Sequence, residues 1–298
     1  MRDLIIHSLL RLIGVLPFRW VGRIGAAAGR LWYRQQGREV RNARVNLRIC
    51  FPGMDEAERE QLVRSNLEQT GRSLAEMVRV WMGGRLTMSE LIDDNGFEEA
   101  GRELLKRGHG LILALPHIGN WELIGDSLIN ITPATALFRP PRMKFMDGIM
   151  RAGRARTGVT PVPIDRQGLK ALHASLQRGE AVVILPDQVP KTAGASGVIA
   201  PFFGHPAMTM TLIGRLARRH KTPVLFCCAI PDEATGRHRL FHFEGDPAIG
   251  DASMEVAATA LNRDVERCAR EFPAHYQWTY RRFEMPGEPK EKSPYAKR

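Results

Sequence analysis

The sequence predicts an α/β fold, a mixed β-sheet flanked by helices, and three observations predict it. Short apolar runs at 111–115, 181–185 and 224–230 have the length and character of buried strands. Segments with apolar residues at helical spacing lie between and around them. The runs 111–115 and 181–185 end alike, each in a proline followed by a polar side chain. Strands alternating with helices form the pattern of an α/β domain. A chain of 298 residues is long enough to bury one large core.

The first apolar stretch, 4–16, is interrupted by His7, Ser8 and Arg11 and closed by Pro17. It falls short of the roughly 20 apolar residues that span a bilayer. Arg19 and Arg23 stand between it and the small residues at 26–28, which argues against a cleaved signal peptide. Leucines and isoleucines mixed with arginines suit a helical segment over 1–33 lying in a membrane interface. A helix packed on the core is the other reading. Residues 34–48 are strongly basic. They read either as a solvated helix face or as added attraction to anionic lipid headgroups. Asp55 and Glu58 form a capping box for a long helix. In that helix Leu62, Val63, Leu67, Leu74, Met77, Val78 and Trp81 recur at helical spacing as core.

The run 111–115 lies between Gly110 and Pro116, and His117, Asn120, Trp121 and Glu122 follow it. In open α/β sheets, ligands bind just beyond the carboxyl ends of the strands. His117 and Glu122 are five residues apart, so on one regular helix they would diverge by roughly 140°. They can meet only if His117 lies in the loop and Glu122 in the first helical turn, with Asn120 as N-cap. The carboxylate would then fix the imidazole tautomer while His117 takes a proton. A structural histidine beside a helix cap fits the same stretch.

A strand at 135–138 precedes a cation-rich stretch containing Arg151, Arg154 and Arg156, and a further strand spans 159–164. Leu169, Leu172 and Leu176 mark a helix stopped at Gly179. The strand 181–185 ends in Pro186-Asp187-Gln188, and 190–197 reads as a flexible lid or substrate-facing loop. A helix at 209–220, the strand 224–230, a ribbon around 239–244 and a helix at 254–271 complete the domain, 34–286. The tail, 287–298, is expected to be disordered.

A formal net charge of +11 points to an anionic partner. The cations are scattered and show no zinc-finger or aromatic-basic RNA signature, so nucleic acid is not expected. Four cysteines without C-x-x-C spacing suit a reducing environment rather than a disulfide framework. Cys227 and Cys228 read as core. No G-x-S-x-G motif is present, and His205, His238 and His242 lack zinc-site spacing. No metal or cofactor is expected.

HIGNWE at 117–122 matches the H-x4-D/E motif of glycerolipid acyltransferases, and the chain more narrowly resembles the late lipid A acyltransferases. Further matches follow in that family's order: Asn46 with Cys50-Phe51-Pro52, Arg139-Pro140, G-R-x-R at 153–156, Asp165-Arg166 and Pro186-Asp187. Phe202-Phe203-Gly204 with Thr209, Tyr276-x-Trp278 and Arg281-Arg282-Phe283 complete the set. One departure stands out. Many members read P-D-x-D-Y-G, where this chain has Pro186-Asp187-Gln188-Val189-Pro190-Lys191, a difference that bears on acceptor preference.

The resemblance implies a glycerolipid acyltransferase-like fold and an enzyme at the cytoplasmic face of the inner membrane, beside anionic lipids. It implies transfer of a fatty acyl chain from an acyl carrier protein thioester to a hydroxyl of a lipid A precursor, without a cofactor. His117 would be the general base, oriented by Glu122, and Arg154 would stabilise the oxyanion. Asp187 would orient Arg154 or the acceptor. Arg139, Arg166, Arg281 and Arg282 are candidate ligands for lipid A phosphates, because arginine presents a planar donor fork. Plainer roles remain open: a surface arginine for 154, a strand-end cap for 187, salt-bridge partners for the rest. Two other functions fit the same residues. One is a glycerophospholipid or lysophospholipid acyltransferase using the same His/Glu pair. The other is a non-catalytic basic peripheral membrane protein.

Overall fold

A computed structural model describes residues 12–82, 88–138, 144–156, 158–190 and 196–296. At the centre of its seven-stranded sheet is β2 (Leu111–Ala114), all of whose residues are buried. The sheet runs β1 (Ile92–Asp93), β9 (His238–Glu244), β8 (Val224–Pro231), β2, β5 (Ala181–Ile184), β3 (Ala134–Phe138), β4 (Val159–Pro163). Every neighbouring pair is parallel except β8 with β9, which form an antiparallel hairpin. The expectation of a mixed sheet flanked by helices therefore holds.

Covering both faces explains why the central strands are apolar throughout. Ile112, Ala114, Val182 and Ile184 join one core. It is completed by α2 (Arg38–Cys50), α3 (Glu56–Met82), α7 (Arg166–Gln177), α8 (Leu212–His220) and α9 (Met254–Glu271). Leu111, Leu113, Ala181 and Val183 face the other core, with α4 (Phe97–Leu105) and α5 (Ile124–Ile129). Asp55 caps α3 as its spacing predicts, accepting from the Glu58 N–H at 2.8 Å.

Three expectations are corrected. Residues 209–210, expected to open a helix, are not helical: β7 (His205–Met210) pairs antiparallel with β6 (Gly197–Phe202), and α8 begins only at Leu212. The two-residue turn Phe203-Gly204 has positive φ at both positions, 50° and 76°, the backbone that matches a hairpin's twist. Leu74, expected in the core, lies on the outer face of α3 and is 47% exposed. Within the tail expected to be disordered, the Tyr295 hydroxyl donates to Asn46 and accepts from the Phe283 N–H. The expected loop at 190–197 and the apolar stretch at 4–16 fall largely outside the described residues.

The amino-terminal helix α1 (Phe18–Arg34) lies along α3 at backbone contact. A Cβ on Gly25 would meet Ala75 Cβ at 2.7 Å, so only glycine permits this approach. No helix among the described residues is long and apolar enough to cross a membrane.

Three buried asparagines fix the carboxyl-terminal segment to α2 and α3. Asn42 donates to Thr279 O, Asn46 to Trp278 O and Tyr280 O, and Asn66 to Ala274 O and Tyr276 O. The irregular backbone at 274–280 thus finds donors without sheet pairing along its length. Asn66→Ala leaves two carbonyls without that donor and should cost about 1–3 kcal/mol. Urea unfolding of wild type and variant measures it, and an unchanged midpoint would show that the clamp is dispensable.

Candidate active site

β2 and β5 are parallel neighbours, with Ala114 opposite Ile184. His117 and Asp187 each lie three residues past these paired ends, so the shared strand–proline–polar design brings the two side chains together. The Asp187 carboxylate meets His117 twice. Its Oδ1 lies 2.7 Å from the ring Nδ1, and its Oδ2 accepts the His117 backbone N–H at 3.0 Å. Burial pushes the Asp187 carboxyl up, but the His117 charge and the two hydrogen bonds outweigh it and hold the carboxyl below its usual value of 3.8. An ionised Asp187 accepts a hydrogen bond from Nδ1–H, which leaves the lone pair on Nε2. Gln188 Nε2 lies 3.0 Å from that nitrogen.

The expected His117–Glu122 pairing is not the one formed. Asn120 makes no side-chain cap, and residues Trp121–Leu123 form a 3₁₀ turn before α5. That turn sets the Trp121 indole edge-on to the imidazole, with centroids 4.9 Å apart. Glu122 instead receives Arg154 from α6 (Lys144–Arg156): both carboxylate oxygens lie 3.1 Å from Arg154 Nε, and Oε1 also accepts from Nη2. The Arg154 guanidinium also lies 5.3 Å from the Phe138 ring, at the end of β3. Asp187 therefore orients His117 rather than Arg154, and Glu122 holds Arg154 rather than His117.

A second segment supports the loop from the opposite side. Gly119 N donates to His275 O, Gln277 N donates to His117 O, and Ile118 bridges to Tyr276. Gly119 has φ of 60°, and its Cβ position is already filled by Ala229 O, so no other residue fits there. Burial and the Asp187 charge push the Tyr276 hydroxyl well above its usual range, which keeps it neutral. The Asn120 side chain is fully buried, and neither of its polar atoms has a hydrogen-bond partner among the described residues. Buried polar atoms are almost always hydrogen-bonded, so this pair calls for a partner such as a bound water or substrate.

The candidate phosphate ligands separate. Arg282 is corrected. It is 2% exposed and donates to Met208 O, Thr209 Oγ1 and Asn262 Oδ1, so its guanidinium staples β7 to α9. Arg281 pairs with Glu284 at 3.1 Å and lines a cavity of about 550 Å³ with Val189, Pro190 and Tyr280. Arg166 is exposed at the start of α7, on the same sheet edge as Asp187. Two strand spacings, about 10 Å, separate its strand β4 from β5. Arg139 lies outside the described residues. Cys227 and Cys228 are buried in mid-β8, and burial pushes both thiols well above their usual range, which removes them as nucleophiles.

A buried His–Asp couple at the carboxyl edge of a mostly parallel sheet, beside a carboxylate-held arginine, is an arrangement suited to proton transfer next to a developing anion. The family model of the bacterial lipid A biosynthesis acyltransferases matches residues 3–285, and the chain belongs to that family. It is 28% identical to the lipid A biosynthesis lauroyltransferase of Escherichia coli K12, over 93% of this chain and 89% of that protein. The palmitoleoyltransferase of the same organism is also 28% identical, over 88% of this chain and 82% of its own length. The corresponding myristoyltransferase is 26% identical, over 90% and 81%. The protein is accordingly an acyltransferase of lipid A biosynthesis.

A depressed carboxyl stabilises the fold above its ordinary value and loses that contribution as pH falls through its folded value. Asp187→Asn should cost about 3–5 kcal/mol at neutral pH, as expected for breaking a buried pair. The gap to wild type should narrow below about pH 4, read by urea unfolding across pH. A gap that is constant down to pH 3 would contradict an ionised Asp187.

Proposed function

We propose that the chain transfers a fatty acyl group from a thioester to a hydroxyl of a lipid A precursor, with His117 as general base. The observation that carries this reading is the Asp187–His117 contact, which leaves Nε2 as the acceptor nitrogen at the sheet's carboxyl edge. In the first step the acceptor hydroxyl oxygen attacks the thioester carbonyl while its proton passes to Nε2. Asp187 stabilises the imidazolium formed. The tetrahedral anion faces Arg154, which Glu122 holds in place, so the cation needs no reorganisation as charge develops. Collapse expels the thiolate, and the imidazolium returns the proton to it. No covalent enzyme intermediate is required.

The donor is an acyl carrier protein thioester. Acyl carrier proteins are acidic, and the +11 net charge of this chain favours their encounter at low salt. The acceptor side points to the cytoplasmic face of the inner membrane and its anionic lipids. On α1, Trp20, Ile24 and Leu31 form an exposed stripe, each more than half accessible, opposite the glycine face packed on α3. Arg19, Arg23 and Arg34 are exposed beside the stripe. Such a helix lies in the interface, with its apolar face in the acyl boundary and its cations at the headgroups.

His117→Ala should lower turnover by about 10²–10⁴-fold. It should also lower the melting temperature, because it leaves Asp187 buried without its partner. Turnover is assayed with acyl carrier protein thioester and lipid A precursor at a temperature where the variant is folded. Near-normal turnover in the folded variant would refute the assignment. Trp20→Glu with Ile24→Glu should reduce sedimentation with phosphatidylglycerol vesicles by at least about tenfold, since burying one large apolar side chain contributes on the order of 1.5–3 kcal/mol, and leave the melting temperature unchanged. Binding equal to wild type would place the membrane contact elsewhere.

A further inference from the structure

The nitrogen of His117 that the reaction needs is already occupied. Gln188 Nε2 donates to His117 Nε2 at 3.0 Å and lies 3.3 Å from Gln277 Oε1. Asp187 holds the proton on Nδ1, so only the Gln188 amide nitrogen can donate to the Nε2 lone pair, and Gln277 Oε1 accepts from the same nitrogen. Gln277 is itself tied to the loop through its backbone N–H on His117 O. The next residue is held as well: Val189 N–H donates to the Tyr280 hydroxyl at 3.0 Å. Gln188 stands at the open position of the P-D-x-D-Y-G pattern, one residue before Val189, where this chain first departs from it.

An imidazole Nε2 has one lone pair. A hydroxyl that gives it a proton must sit about 2.6–3.2 Å away, in the volume the Gln188 amide now fills. The amide and the acceptor hydroxyl are therefore mutually exclusive. We infer that Gln188 is a displaceable cap on the base, which shields Nε2 until the acceptor hydroxyl takes its place. The inference rests on the reading of His117 as the base, and it explains how a thioester is kept from water. With the cap absent and donor alone bound, a water oxygen would attack the thioester carbonyl while one of its protons passes to Nε2. The departing thiolate would then take that proton from the imidazolium, leaving fatty acid and free thiol. Gln188, half-buried beside a residue only 9% exposed, blocks the route by which water reaches that lone pair.

The test uses the full chain as wild type, Gln188→Ala, His117→Ala and the double variant, with dodecanoyl acyl carrier protein as the donor probe. The first readout is thioester hydrolysis without acceptor. The second is the rate at which diethyl pyrocarbonate labels His117, resolved by peptide mass spectrometry, since the reagent requires the free lone pair. Gln188→Ala should raise both about tenfold, the scale of one hydrogen bond, and the double variant should return hydrolysis to the His117→Ala level. Gln188→Asn withdraws the amide by one methylene, should behave the same way, and serves if the alanine variant misfolds. Unchanged labelling, or faster labelling without faster hydrolysis, overturns the cap. Hydrolysis that persists in the double variant overturns it too. If His117→Ala itself keeps full transfer activity, the base assignment fails, whereas labelling still reports separately whether Gln188 covers Nε2.

Discussion

The site depends on one carboxylate that grips a histidine at two points. Asp187 accepts both the ring Nδ1–H and the backbone N–H of His117, so one side chain sets the loop and the tautomer together. Register makes this contact. Ala114 faces Ile184 across β2 and β5, and equal offsets beyond those residues bring the two polar groups level. A slip of one residue would turn Asp187 to the opposite face of the sheet. Carboxyl-terminal segment 274–280 holds the loop from its other side, and is itself held by asparagine amides from α2 and α3.

Much of the fold is legible in the sequence because the central strands are buried on both faces, and such strands read as unbroken apolar runs. His117 stands out for the same reason, as the first polar residue after one of them. Its partner is harder to see. Asp187 is 70 residues away, brought close by strand order, which local spacing does not encode. The H-x4-E spacing invites a local pairing, but the 3₁₀ turn at Trp121–Leu123 sends Glu122 to Arg154. The apolar run, proline and polar residue of β2 and β5 is the signal that contains the real pair, but β8 ends alike in Pro231-Asp232, so the choice of Asp187 needs the fold. The β6–β7 hairpin is hidden because Phe203, a residue that seldom takes positive φ, occupies the turn. Arg282 gives no sign of burial, since its acceptors come from Met208, Thr209 and Asn262, distant in sequence.

Helix α1 serves two surfaces at once. Its glycines bring it to backbone contact with α3, and the same tight seating turns Trp20, Ile24 and Leu31 outward. The relatives named for lauroyl, palmitoleoyl and myristoyl transfer lie at 26–28% identity, so kinship alone does not select an acyl chain. The departure from the family pattern begins at Val189, directly after Gln188, whose amide meets His117.

The claim that Asp187, and not Glu122, governs His117 is tested most directly by proton NMR of protein labelled with nitrogen-15 histidine. A proton shared with a carboxylate in a buried site resonates far downfield and exchanges slowly. The account requires that the His117 Nδ1–H signal persist in Glu122→Gln and disappear from its downfield position in Asp187→Asn. A signal that survives Asp187→Asn and is lost in Glu122→Gln would contradict it.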